Sequence, residues 1–191
     1  YFHEVDTITG RYPLFEHFPY TLALASKQHE VALQQKLDVL HVHYAMPHAI
    51  SGFLAQQMLG PQAPRLVTTL HGTDITLVGQ DRSFFEITRF GIERSDGVTA
   101  VSEFLKRMTI DEFEIKRPIE TIYNFVDLAV YGRQRHAERA PYAEADQRIL
   151  LHVSNFRPVK RVVDVVRIFE RVVREVKAVL LMVGEGPERA S

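Results

Sequence analysis

Short apolar segments rich in β-branched residues recur along the chain. They are "DVLHVHY" at 38–44, "RLVTTL" at 65–70, "GVTAV" at 97–101, "IETIY" at 119–123, "RILLHVS" at 148–154 and "AVLLMVG" at 178–184. Their length and alternation predict strands. Between most of them the apolar positions change to a helical period: 47–59, opened by Pro47; 82–94; 102–113, with Ser102 at the N-cap position; and 160–176. The last places Val162, Val165, Val166, Phe169, Val172, Val173 and Val176 on one side and Arg167, Arg171 and Arg174 on another. That periodicity outweighs the low helix propensity of valine. Strands alternating with helices predict an α/β fold with parallel sheets covered on both faces.

The rhythm breaks at 127–148, where "YGRQRHAERAPYAEADQR" is charged and poor in large apolar residues. This stretch reads as a linker, so the pattern predicts a first α/β domain over 1–126 and the opening of a second over 149–191. In open parallel sheets ligands bind beyond the carboxyl ends of the strands. The segments at those ends are "HYAMPH", "HGTD", "SEF", "NFVD", "SNFRPVKR" and "GEGPE", a polar and glycine-bearing set.

Composition narrows the chemistry. The chain has 191 residues with 23 basic and 24 acidic side chains, a net charge of -1, so no global field draws it to nucleic acid or an anionic membrane. Cysteine is absent, which excludes thiolate nucleophiles, thiolate metal sites and disulfides. The longest apolar runs fall far short of the roughly 20 residues of a membrane helix. Neither an Asp-x-Asp motif for a metal-held nucleotide sugar nor a Gly-x-Ser-x-Gly elbow is present.

Each candidate group has a structural reading beside the functional one. In "HGTD", Gly72 permits a tight turn and leaves room for a ligand, while His71 and Thr73 offer hydrogen-bonding groups. Alternatively, Thr73 or Asp74 caps the next segment and His71 is a satisfied buried side chain. His41 and His43 face the same side of a strand, the geometry of a metal pair, but no third ligand of suitable spacing follows, and packing or positioning near the cleft is the other reading. Tyr44 ends that strand. In "SNFRPVKR", Arg157, Lys160 and Arg161 sit before a helix, where free N–H groups already favour anions and where cations oppose the helix dipole. Both a diphosphate pocket and a solvated surface fit them. Arg89 is either a carboxylate clamp among aromatics or a surface arginine, and Asn124 either caps a turn or bonds a ligand. "GEGPE", with Gly184 and Glu185, lacks a phosphate-loop spacing and reads alone as a turn. Asp164, Glu170 and Glu175 interrupt the arginines of 157–174, against a nucleic-acid groove.

Taken in order, "LDVLHVHYAMPHA", "VTTLHGTDITLVG", "RFGIERSDGVTAVS", "IETIYNFVD", "LLHVSNFRPVKRVVDVVRIF" and "LLMVGEGPE" resemble the retaining GT-B glycosyltransferases of family 4. "YFHEV" at 1–5 and "FPY" at 18–20 fit the same family. The resemblance implies two Rossmann-like domains and a cytoplasmic, metal-independent enzyme, in a family where dimers are common. It implies UDP-N-acetylglucosamine as donor and L-malate as acceptor, the opening step of bacillithiol biosynthesis, with no further cofactor. His71 then contacts the donor sugar. Arg157 and Lys160, with Arg161, hold the diphosphate beside Gly184 and Glu185. Tyr44, Thr73, Arg89 and Asn124 line the acceptor pocket. The family also has a glycine-rich turn that would precede Tyr1 and a pair of glutamates that would follow Ser191, so the 191 residues alone are expected to be inactive.

Overall fold

The β-branched segments form strands in the computed structural model, which describes residues 2–3, 19–78, 81–132, 139 and 141–190. β1 (Val39–His43), β2 (Arg65–Leu70), β3 (Gly97–Ala100) and β4 (Glu120–Thr121) make one parallel sheet in that order. β5 (Arg148–Val153) and β6 (Ala178–Val183) pair in parallel separately. The helices are α1 (Tyr20–Gln35), α2 (Ile50–Leu59), α3 (Phe85–Arg94), α4 (Glu103–Phe113), the single turn α5 (Leu128–Tyr131) and α6 (Val162–Val172). The chain divides into two compact units, Tyr1–Phe125 and Val126–Ser191. Among the described residues no helix is long and apolar enough to cross a membrane.

In the first unit the strand register sorts side chains into two faces. Leu40 lies beside Leu66, Val42 beside Thr68, and Leu70 beside Ala100. These positions are buried. They pack with Ala55 of α2 in one cluster and with Ile92 of α3 and Leu105 and Phe113 of α4 in another. Each large aliphatic or aromatic side chain buried there contributes roughly 1.5–3 kcal/mol. Phe85 extends this core by stacking on Phe113 at 4.8 Å. Thr68 avoids an unpaired hydroxyl by bonding Ser95 at 2.7 Å, and Ser95 donates on to the Gly91 carbonyl.

The opposite face differs from expectation. It carries His41, His43, Thr69 and Thr99, and Val39, His41 and His43 are exposed. The covering expected on both faces is therefore met on one among the described residues. The reason lies in side-chain chemistry: histidines and threonines at alternate strand positions do not make an apolar surface for a helix to bury.

Helix boundaries also shift. The helix expected over 47–59 begins only at Ile50, because Met46 is extended (φ -116°, ψ 128°) and residues 45–49 form an irregular turn. That over 160–176 contracts to Val162–Val172, since Arg161 is left-handed (φ 51°) and residues 158–160 form a separate tight turn. Only Val162 of its apolar stripe is buried. α1 lies in a segment for which the pattern predicts no element. It buries only Ala25 and Ala32. α4 starts as predicted, with the Ser102 hydroxyl accepting from Leu105 N at 3.1 Å. Of the sequence features above, Tyr1, 4–18 and the tract 133–138 lie outside the described residues.

At the amino ends of the strands Asp96 ties three segments together. Its carboxylate accepts from Leu66 N at 2.8 Å, Gln56 Nε2 at 3.0 Å and Arg65 Nη1 at 2.9 Å. Burial pushes its pKa up, but these donors outweigh burial and hold it below the usual aspartate range. A depressed carboxyl stabilises the fold above its unfolded pKa, and that contribution is lost as the pH falls below about 4, where the unfolded chain takes up a proton that the folded site resists. Asp96→Asn should therefore flatten the acid limb of the stability curve, as read by circular dichroism during acid titration. An acid limb as steep as that of the parent would contradict it.

Candidate functional site

The carboxyl ends of β1 and β2 bring together side chains that are far apart in the chain. Register places His43 beside Thr69, and Tyr44 N continues the ladder to the Thr69 carbonyl at 2.8 Å. His71, two residues beyond Thr69, thereby meets His43: Nδ1 of His43 lies 2.7 Å from Nε2 of His71. The Tyr44 ring stands 5.1 Å from that of His71. Below them, His41 Nε2 bonds Thr69 Oγ1 at 2.7 Å, and Thr69 bonds Thr99 Oγ1 at 2.8 Å. The polar face of the sheet is thus an ordered ladder of hydrogen bonds rather than scattered polar residues.

Asp74 holds the turn that carries His71. Its side chain is 1% exposed, and one oxygen accepts from Gly72 N at 3.0 Å and His71 N at 3.3 Å. The other accepts from Ala45 N at 2.9 Å, which fastens the turn to the strand end after β1. Asp74 thus binds the residues before it and a second segment. That is a different job from capping the segment that follows. Gly72 has φ 124°, a conformation that a side chain disfavours. Thr73 is exposed on the same turn.

A cavity of about 340 Å³ opens on this face, lined by His41, His43, Thr69, Thr99 and His71, by the apolar Val67 and Val101, and by the segment Ile122–Phe125, which includes Asn124. Of the predicted acceptor and donor groups, His71 and Asn124 line it, while Tyr44 and Thr73 are not among its lining residues. Arg89 is not among the residues lining the cavity. It is half-buried on α3, a helix packed against the 45–49 turn, and among the described residues no hydrogen bond or ion pair holds its guanidinium. A larger groove of about 540 Å³ lies at the opposite end of the strands around Asp96. Its cations are already engaged, Arg65 by Asp96 and Arg94 over the Phe53 and Phe90 rings.

The pKa of His43 is lowered, first by burial and then by the neighbouring His41, His71 and His48. Its imidazole is therefore neutral at neutral pH and can share a single proton with His71. His41 and His43 spend ring nitrogens on Thr69 and His71, and among the described residues no group of three or more His, Asp or Glu side chains is arranged to hold a metal.

In the second unit the loop after β5 and the loop after β6 are joined through backbone. Phe156 N donates to the Glu185 carbonyl at 2.8 Å and Glu188 N to the Phe156 carbonyl at 3.0 Å. Gly184 and Gly186, at φ 149° and 154°, permit this approach, for a Cβ on either would collide with the carbonyl oxygens of Ser154 or Phe156. Glu185 pairs with Arg189. Arg161 is taken up by Asp164 at 2.6 Å, whereas Arg157 and Lys160 are exposed and have no ion-pair partner among the described residues.

Sequence reasoning missed Asp74 as part of this site, while the spacing raises His43 beside His41, between a metal pair and packing or positioning near the cleft. His43 had a visible signal, its shared strand face with His41. The donors that Asp74 serves are backbone groups, which leave no trace in residue identity.

The parallel strands of the first unit, with a histidine-bearing carboxyl edge, and the parallel strand pair of the second are of Rossmann-like build. The chain belongs to Glycosyltransferase Family 4, whose model matches residues 2–130. It is 51% identical over 190 residues to the N-acetyl-alpha-D-glucosaminyl L-malate synthase of Bacillus anthracis, covering 98% of this chain and 49% of that protein. It is 30% identical over 129 residues to an uncharacterised glycosyltransferase of Methanocaldococcus jannaschii, covering 66% of this chain and 32% of that one. The chain thus spans about half or less of the curated relatives it matches.

Proposed function

We propose that the full-length protein transfers N-acetylglucosamine from UDP-N-acetylglucosamine to the hydroxyl of L-malate with retention, opening bacillithiol biosynthesis. The observation that carries this reading is the 51% identity, over 98% of the chain, to a protein named for the product of that transfer. The geometry supports it with groups suited to each part of the reaction. The bond between the sugar and the diphosphate breaks, negative charge grows on the departing UDP, and the malate hydroxyl forms the new C–O bond and releases its proton. Arg157 and Lys160, exposed at the start of the β5–α6 connection, stabilise that charge, while Arg161 contributes less because Asp164 already neutralises it. His71 faces the sugar. Tyr44, Thr73 and Asn124 bound the acceptor, and the guanidinium of Arg89 is the group suited to a malate carboxylate. No protein nucleophile is needed.

The test is release of UDP by the full-length protein. Release is expected only when both UDP-N-acetylglucosamine and L-malate are present. Nucleotide-sugar binding with no release in malate would instead mark a non-catalytic binding module, and release with another hydroxyl acceptor alone would retain the transferase and overturn malate.

A further inference from the structure

The hydrogen bond between His43 and His71 has been given no task so far, and stability does not account for it. Both rings lie at the mouth of the cavity, and a hydrogen bond open to solvent adds little to folding because water competes for the same groups. Its geometry is nonetheless specific. A nitrogen-to-nitrogen distance of 2.7 Å requires one imidazole to donate and the other to accept, so the pair shares one proton. His43 is itself fixed on several sides. Its backbone belongs to β1, its carbonyl accepts from His48 Nδ1 at 2.5 Å, and its ring lies 4.7 Å from that of His41. His71, by contrast, sits on a turn whose backbone is held by Asp74, while among the described residues its ring nitrogen is held by His43 alone.

We propose that His43 is a positioning residue, which orients the His71 ring through the bond between Nδ1 and Nε2 and so turns His71 Nδ1 toward the ligand. This rests on the reading that His71 faces the donor sugar. An imidazole free to rotate presents the wrong nitrogen part of the time. One whose Nε2 is committed presents the same face in every turnover. The lowered pKa of His43 is in keeping with this, since a neutral ring at neutral pH can share a proton with its neighbour where a charged one would repel a charged partner.

The test is a double-mutant cycle in the full-length enzyme. His43→Phe keeps a ring but removes the bond; His43→Asn restores a polar atom near the position of Nδ1. His43→Phe is expected to lower kcat about tenfold, with the KM for the nucleotide sugar little changed, as for the loss of one orienting hydrogen bond. His43→Asn should recover most of that loss. In a His71→Ala background, His43→Phe should cost nothing further, because its effect runs through His71. Equal losses in both backgrounds, or an asparagine no better than phenylalanine, would overturn the proposal. If the unaltered enzyme fails to release UDP with malate, the transfer reading fails by itself, and NMR of labelled histidines decides the pair separately. A coupling across the hydrogen bond between the labelled ring nitrogens of His43 and His71 sustains the positioning role, and its absence refutes it.

Discussion

Replacing His71 with alanine in the full-length enzyme is expected to lower kcat by about a hundredfold or more while leaving UDP affinity nearly unchanged. The split follows from which groups are assigned to which part of the donor. The diphosphate is proposed to rest on Arg157 and Lys160 of the second unit, whereas His71 stands at the carboxyl end of β2 in the first. An interaction made mainly as the sugar carbon becomes electron-poor changes kcat rather than nucleotide binding. The ring is well placed for such a task. It lies between Tyr44 at 5.1 Å and His43 at 5.0 Å, half-buried at the mouth of the cavity, on a turn clamped by Asp74. Steady-state rates with calorimetric UDP binding would check it. A variant that loses UDP affinity in proportion to kcat, or keeps its kcat, would remove His71 from the reacting centre.

Much of this arrangement was legible in the sequence, for identifiable reasons. β1 to β6 were readable because buried parallel strands need short β-branched runs, and "RLVTTL" matches β2 residue for residue. Ser102 was readable as a cap because a hydroxyl before a helix has one obvious partner. Other features depend on information that residue order does not carry. The meeting of His43 with His71 follows from the register of β1 against β2, and a shift of one residue would turn His43 to the other face. α1 escaped because a helix that buries only two alanines leaves a faint apolar stripe. The engagement of Arg161 by Asp164 was hidden among three similar cations until the left-handed turn at Arg161 set their geometry.

Asp74→Ala should cost the fold about 2–4 kcal/mol, read as a lowered urea midpoint at unchanged slope. The side chain is fully buried, and no cation pairs with it among the described residues. It is balanced by the backbone N–H groups of Ala45, His71 and Gly72. Alanine removes the acceptor and leaves those three donors without their partner, the costly direction of a broken hydrogen bond. Asparagine would keep one oxygen, able to serve either Ala45 or the His71–Gly72 pair, while its amide nitrogen would face a donor. Asp74→Asn should therefore fall between the parent and alanine. The functional consequence should exceed the stability loss, because the same carboxylate joins the strand end bearing Tyr44 to the turn bearing His71. At temperatures where Asp74→Ala remains folded, its kcat should approach that of the His71 variant. A stable Asp74→Ala protein with full activity would show that the turn keeps its shape without the buried carboxylate, and would transfer the positioning of His71 to the His43 bond alone.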